Sequence, residues 1–208
     1  MISLKSKREI QIIREAAEIL KKVFEKIRPA IKEGIATEEL DLMAESVIRR
    51  AGGEPAFKGY RGFPKTACIS INEEVVHGVP GKKKLKAGDL VSFDIGAKVD
   101  GYYADAARTW SVGPLTEQKK KLVETAQEAF QTALAAYRPG ARIGDLSAAI
   151  QSFIEARGFQ VVRDYVGHGI GRALHEDPQV PNYGKAGHGP KIEAVLVLAI
   201  EPMVTEGS

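Results

Sequence analysis

A single cysteine, Cys68, stands in the 208-residue chain, so no disulfide can form within it. That separates the protein from small secreted scaffolds stapled by cross-links. Cys68 lies in the apolar stretch Ala67-Cys68-Ile69 with no local base or electropositive setting, and reads as a small buried hydrophobe rather than a nucleophile. Long apolar runs are also missing. The start, Met1-Ile2-Ser3-Leu4-Lys5-Ser6, passes directly into a polar amphipathic segment, without the h-region of a secretory leader or a bilayer-spanning stretch. Neither sign of charge dominates: thirty basic residues face 27 acidic ones, for a net +3. The chain as a whole is therefore no polyelectrolyte partner for nucleic acid or anionic lipid. Two local lysine runs depart from this balance, Lys82-Lys83-Lys84 with Lys86, and Lys119-Lys120-Lys121. A solvated charged face accounts for such runs, and contact with an RNA-rich surface is the other reading. The expected address is the cytoplasm, with no membrane partner and no specific nucleic acid.

Hydrophobic residues make up 44% and charged residues 27% of the chain, enough for one domain with a sizeable core. Ser6-Lys7-Arg8-Glu9 has the form of a capping box. Ile10, Ile13, Ala17, Leu20 and Phe24 follow at helical spacing, up to Pro29. A second helix opens at Thr37 and closes at Gly52-Gly53. Thr66 to Ile71 reads as a strand. Leu90 to Val99 and Tyr102 to Ala107 read as a hairpin turning at Asp100-Gly101. Helices are expected over Thr116 to Tyr137 and Ile143 to Arg157, and strands at Phe159 to Val162 and Val195 to Ile200, around a glycine- and proline-rich segment. At a constant offset of 106, Gly34 aligns with Gly140, Leu40 with Leu146, Ile48 with Ile154 and Gly52 with Gly158. The echo points to a duplicated α+β unit.

Asp94 interrupts Val91-Ser92-Phe93-Asp94-Ile95, a strand otherwise fit for burial, and a buried carboxylate needs a partner or a metal. Asp105 lies across the turn. A two-residue turn sets Asp94 opposite Ala107, and a longer turn sets it opposite Asp105. Either register puts both carboxylates on one face. Two like charges so close leave one protonated unless a cation joins them, and the pair alone leaves both accounts open. Arg108 is at odd spacing from Asp105 and points to the other face. His168 sits between glycines in Gly167-His168-Gly169, and Glu201 ends the apolar run Val195 to Ile200. A structural histidine is the plainer reading of His168 alone. Carboxylates with one imidazole and no thiolate suit Mn, Fe, Co or Zn rather than a structural zinc knuckle.

The stretches Asp94-Ile-Gly-Ala and Asp100-Gly-Tyr-Tyr-Ala-Asp105-Ala-Ala-Arg-Thr109 resemble type I methionine aminopeptidases. So do Cys68-Ile-Ser-Ile-Asn72, His77-Gly-Val-Pro80, Gly167-His-Gly-Ile-Gly171, His175-Glu-Asp-Pro178 and Ile200-Glu-Pro-Met203, in order along the whole chain. The resemblance implies the α+β pita-bread fold of creatinase and the aminopeptidases, with pseudo-twofold halves around a curved, mainly antiparallel sheet. It implies removal of the initiator methionine from nascent polypeptides with a small second residue, by a water that two divalent metals (Co, Mn, Fe or Zn) activate. Asp94 would hold one metal through both oxygens and Asp105 would bridge the two. His168 and Glu201 would complete the other shell, and Glu201 would also pass a proton to the leaving amine. His175 would hydrogen-bond the scissile amide or its tetrahedral intermediate, and His77 would position the leaving side. Tyr60, Phe63, Cys68, His77 and Leu174 match the positions that line the methionine pocket, for which core packing is the plainer account.

The family carries a further bridging glutamate on a strand beyond Glu201. This sequence ends seven residues after Glu201, and Glu206 lies too near to replace it. The expectation is a single catalytic domain over residues 1–208, lacking the last strands. One metal would be held tightly, turnover would be weak, and a monomer would self-associate through an uncovered sheet edge. Three readings compete: the aminopeptidase, a proline-specific relative such as a prolidase, and a non-catalytic relative that binds peptides or the ribosome surface.

Overall fold

A computed structural model of the chain describes residues 2–207, arranged in two compact units. One unit comprises Arg8–Thr116 with Gly171–Leu174. Its first helix, α1 (Lys7–Ile27), buries Ile13, Ala16, Ile19, Leu20, Val23 and Ile27. This corrects the expected stripe, in which Ala17 is in fact exposed and Ile10 only half-buried. The helix carries two overlapping apolar ladders that share Ile13 and Leu20, and packing on the sheet selects the second. Phe24 lies at its margin, edge-on to Phe93 and Trp110. A second helix, α2 (Thr37–Arg50), buries Leu40, Ala44 and Ile48 into the same core.

The sheet of this unit is built on one long strand, β3 (Leu90–Val99). The strand β4 (Tyr102–Ser111) runs along one edge, with β2 (Ala67–Ile71) and the short β1 (Glu54–Pro55) on the other, all antiparallel. Alternation along β3 decides its faces. Val91, Phe93, Ile95 and Ala97 are fully buried against the helices, which leaves Ser92, Asp94 and Gly96 on the opposite face. Asp100 and Gly101 have φ of 47° and 83°, as a two-residue type I′ turn requires. β4 continues beyond the expected Ala107 because Trp110 still packs on Phe93 and Thr109 still meets the Ser92 hydroxyl at 3.0 Å. The buried Asp41 starts β2, its Oδ1 accepting from the amides of Thr66 (2.9 Å) and Ala67 (2.8 Å).

The other unit comprises Met1–Lys7, Glu117–Ile170 and His175–Ser208. The helix α3 (Glu117–Ala136) lays Ala129 and Ala133 against Ile150 and Ile154 of α4 (Ile143–Ala156). The strand β5 (Gln160–Val161) pairs with β9 (Val204–Thr205). β6 (Val166–Gly169) lies between β7 (Glu176–Pro181) and β8 (Leu198–Ala199). One expectation is corrected here, and two strands are added. The run Val195 to Ile200 is a strand only at Leu198–Ala199, because Val195 takes φ of 63° and turns the chain. The glycine- and proline-rich segment between the two expected strands contains β6 and β7, which the sequence reading did not place. Among the described residues, no helix is long and apolar enough to cross a membrane.

The offset of the internal echo is reproduced in hydrogen bonds. α2 and α4 are both 14 residues long. Each begins with a backbone N–H donating to the carboxylate three residues on, Ala36 to Glu39 at 2.8 Å and Arg142 to Asp145 at 2.7 Å. Gly34 donates to the Leu85 carbonyl and Gly140 to that of Ile192, both at 2.9 Å. These are duplicated units at the level of capping and loop docking, not merely two amphipathic helices. The two acceptor carbonyls stand at an offset of 107, one residue more than the helices, and carried forward at that offset Asp94 and Glu201 become equivalent positions.

Candidate functional site

The hairpin settles the register of the two aspartates. Asp94 pairs with Ala107 and Asp105 with Gly96, the arrangement of a two-residue turn. Both half-buried carboxylates therefore sit on one face, diagonal to each other, with the smallest side chain between them. Arg108 is on the other face, its guanidinium 5.4 Å from the centre of the Phe24 ring, so it does not neutralise the pair from within the strand. Cys68 is the neighbour of Asp94 on β2. Burial, then the charges of Asp94, Asp105 and Asp41, push the Cys68 thiol well above its ordinary range. A thiol held neutral is no competitor for a metal that the carboxylates can hold. Iodoacetamide at pH 8 is therefore expected to leave Cys68 unmodified in the native protein over a time that alkylates the urea-unfolded chain fully. Mass spectrometry reads the result, and rapid native modification would contradict the burial.

In the other unit, β6 carries His168 and the residues after β8 carry Glu201. The His168 Nδ1–H donates to the Gly169 carbonyl at 2.9 Å, and Nε2 lies 3.1 Å from Glu201 Oε1. In the neutral imidazole that tautomer turns the Nε2 lone pair toward a carboxylate oxygen. Two electron-rich atoms at that distance repel unless a cation, a proton or a metal, is shared between them. The donor set of one imidazole and carboxylates fits a divalent first-row metal. The His175 ring lies 4.3 Å from the His168 ring, centre to centre.

The glycines beside His168 are there for backbone approach. A Cβ on Gly167 would stand 2.4 Å from the Ala199 carbonyl oxygen, and one on Gly169 would stand 2.2 Å from that of Asp177. Neither neighbour is a side chain that could swing away. Gly167→Ala is expected to lower stability by about 1–3 kcal/mol, the usual range for overpacking. It is expected to weaken metal binding as well, since the displaced backbone leads into Glu201. Urea unfolding and metal titration read the two effects, and an unchanged urea midpoint would mean that the strands separate without loss.

The residues of the expected methionine pocket all belong to the first unit. Tyr60 opens a 3-10 turn and Phe63 closes it, both half-buried. Cys68 and Leu174 are buried, and His77 is exposed. His77 takes φ of 60°. It is held there by Gly78, which donates to the Ser70 hydroxyl at 3.1 Å and accepts from the Ile69 amide at 2.8 Å. The segment bearing Leu174 is fastened by the Tyr103 amide on the Gly171 carbonyl (2.8 Å) and by Arg172 on Glu9 (2.7 Å). Glu9 also accepts from the Tyr102 hydroxyl. Of the lysine runs, Lys82, Lys83, Lys84 and Lys86 border a surface groove of about 530 Å³ with Glu73 and Asp89, and Lys83 pairs with Glu74 at 3.0 Å. None of the expected site residues lines it. Sequence reasoning missed Asp41, the Glu9–Arg172 pair and Lys5. The last is a buried lysine whose ammonium meets Glu176 at 2.6 Å.

Comparison with known proteins agrees with this geometry. The model of metallopeptidase family M24 matches residues 11–208. Methionine aminopeptidase 1 of Bacillus subtilis is 49% identical over 208 residues, covering 100% of this chain and 84% of that protein. The crystal structure of methionine aminopeptidase from Thermotoga maritima superposes with a TM-score of 0.99 at 44% identity, again over 100% of this chain and 84% of that one. The prolidase of Pyrococcus horikoshii shares the fold more distantly, with a TM-score of 0.84 at 30% identity, over 96% of this chain and 55% of its own. The chain has the pita-bread fold and belongs to metallopeptidase family M24, among its methionine aminopeptidases, which are metal-dependent exopeptidases.

Proposed function

We propose that the protein removes the initiator methionine from nascent polypeptides whose second residue is small, in the cytoplasm and near the ribosome. In this reading Asp94 and Asp105 would hold one divalent metal, and Asp105, His168 and Glu201 would hold another. Mn, Co, Fe or Zn all suit the donors. The bound metals supply Lewis-acid polarisation of the peptide carbonyl and a lowered pKa for water. The observation that carries the reading is the His168–Glu201 contact, where Nε2 and a carboxylate oxygen meet at 3.1 Å with Nδ1 already engaged on a carbonyl.

The remaining roles belong to the chain's own groups. His175, beside the His168 ring, donates a hydrogen bond to the scissile amide where negative charge develops. Glu201 passes a proton to the departing amine. His77 orients the leaving side. Tyr60, Phe63, the neutral thiol of Cys68, His77 and Leu174 receive the methionine side chain, for which apolar rings and a soft sulfur are suitable neighbours.

The test uses protein stripped with a chelator and then reloaded. Met-Ala-Ser is expected to release free methionine only after Mn or Co is restored, and Ala-Pro is expected to remain intact. No methionine release with any of Mn, Co, Fe or Zn would overturn the reading, as would faster cleavage of Ala-Pro.

A further inference from the structure

Among the described residues, Lys5 is the one lysine in the buried polar and charged set, 2% exposed. Its ammonium donates to Glu176 Oε2 at 2.6 Å and to the Ser3 carbonyl at 2.6 Å. Its backbone N–H donates to the Val195 carbonyl at 3.0 Å, in the loop that leads toward β8. One residue near the start of the chain thus grips the segments that carry two of the second unit's site residues, His175 and Glu201. Glu176 directly follows His175, and Val195 precedes Glu201 in the same excursion.

The strand ladder leaves work for such a grip. β7 pairs with β6 through His168↔Gln179 and then through Gly169↔Glu176, so the register jumps and Asp177 and Pro178 are skipped. The entry to β7 is therefore not fixed by a regular row of hydrogen bonds, and His175 stands just ahead of that irregular point. A buried ion pair adds little stability compared with two apolar side chains of the same size, and its clearest effect is directional. Here the direction is the placement of the Glu176 side chain, and through it the backbone of His175.

We infer that Lys5 is a positioning residue for His175: its buried ammonium, clamped on Glu176, sets the imidazole for the reaction. The inference rests on the role given to His175 above. Lys5 touches neither substrate nor metal, so its removal should affect turnover rather than substrate or metal affinity.

The experiment compares Lys5→Met, Lys5→Arg and the double variant Lys5→Met/Glu176→Met as full chains loaded with Mn. Each is made with His175 intact and with His175→Ala. Lys5→Met is expected to lower kcat on Met-Ala-Ser by about 10- to 100-fold, the range for groups that orient an active-site residue. KM and Mn affinity should stay within about twofold, and Lys5→Arg should recover most of the loss. The double variant should regain the wild-type Tm, since neither charge is left buried alone, yet keep the low kcat. In the His175→Ala background, Lys5→Met should cost nothing further. An unchanged kcat in Lys5→Met overturns the inference. So does a wild-type kcat in the double variant, an equal loss in both backgrounds, or a loss that follows Mn affinity. If His175→Ala alone turns over like wild type, the catalytic reading of His175 fails, and the inference falls with it for that separate reason.

Discussion

Asp94→Ala will lose the metal that Asp94 and Asp105 would share and release no methionine, yet it will fold. The side chain leaves β3 on the face opposite Phe93 and Ile95, both fully buried in the helix-covered core, so no apolar packing is lost. What is lost is one of two carboxylates on a single face of the hairpin. Asp105 then has no second carboxylate on its hairpin face with which to hold that metal. Wild-type protein in Mn or Co at about 100 times the dissociation constant gains ~2.7 kcal/mol of stability by mass action. Asp94→Ala should show a smaller gain, from the Asp105–His168–Glu201 donors alone, and Asp105→Ala, which removes a donor from both metals, should show the least. A side effect gives an independent check on geometry. Asp94 is the largest electrostatic influence raising the Cys68 thiol after burial itself, so its removal should make Cys68 more readily alkylated at high pH. Titration calorimetry decides the main point, and equal metal binding by wild type and Asp94→Ala would take Asp94 out of the site.

His175→Ala comes second in size. Turnover should fall by roughly 10²–10³, the range for deleting one donor to a developing oxyanion, while metal affinity stays as in wild type. The structural ground is narrow but definite. The imidazole is exposed, lies 4.3 Å from the ring of the candidate ligand His168, and heads the strand that flanks it. A group so placed can reach a bound amide without entering the ligand shell. Single-turnover kinetics beside metal titration separates the two functions. Loss of metal instead of turnover would make His175 a ligand and leave the donor role unfilled.

How much of this could be read before the fold was known depends on the range of each interaction. Asp94 and Asp105 were legible because a two-residue Asp-Gly turn fixes register locally, and alternation then fixes the face. The helices were legible by period and by their caps, but α1 has two ladders three residues out of step, and only contact with the sheet chooses between them. β6 and β7 were hidden because they are short and rich in glycine and proline, the residues that usually break strands. Their pairing comes from backbone approach that glycine allows. The converse error was made at Val195, where apolar residues promised a strand and the backbone turned. The partnership of His168 with Glu201 was visible only through resemblance to a family, since nothing near either residue names the other. Lys5 gave no signal, and Glu9 only that of a capping residue, because a lysine or a glutamate near a helix start is ordinarily solvated and their partners are far along the chain.

That distance has a consequence in time. Lys5 and Glu176 are separated by 171 residues. Closing so long a loop is not thermodynamically severe, because each doubling of length adds only about 0.6 kcal/mol. It is slow to become available, however. At the usual pace of synthesis, about 5–20 residues per second, Glu176 follows Lys5 into existence by on the order of ten to thirty seconds. The first helix and the hairpin with both aspartates can form well within that interval, from contacts made inside 8–116. The entry to β7 cannot be fastened until Glu176 has been made. In each newly translated molecule, the clamp ahead of His175 closes after the first helix and the hairpin can already have formed.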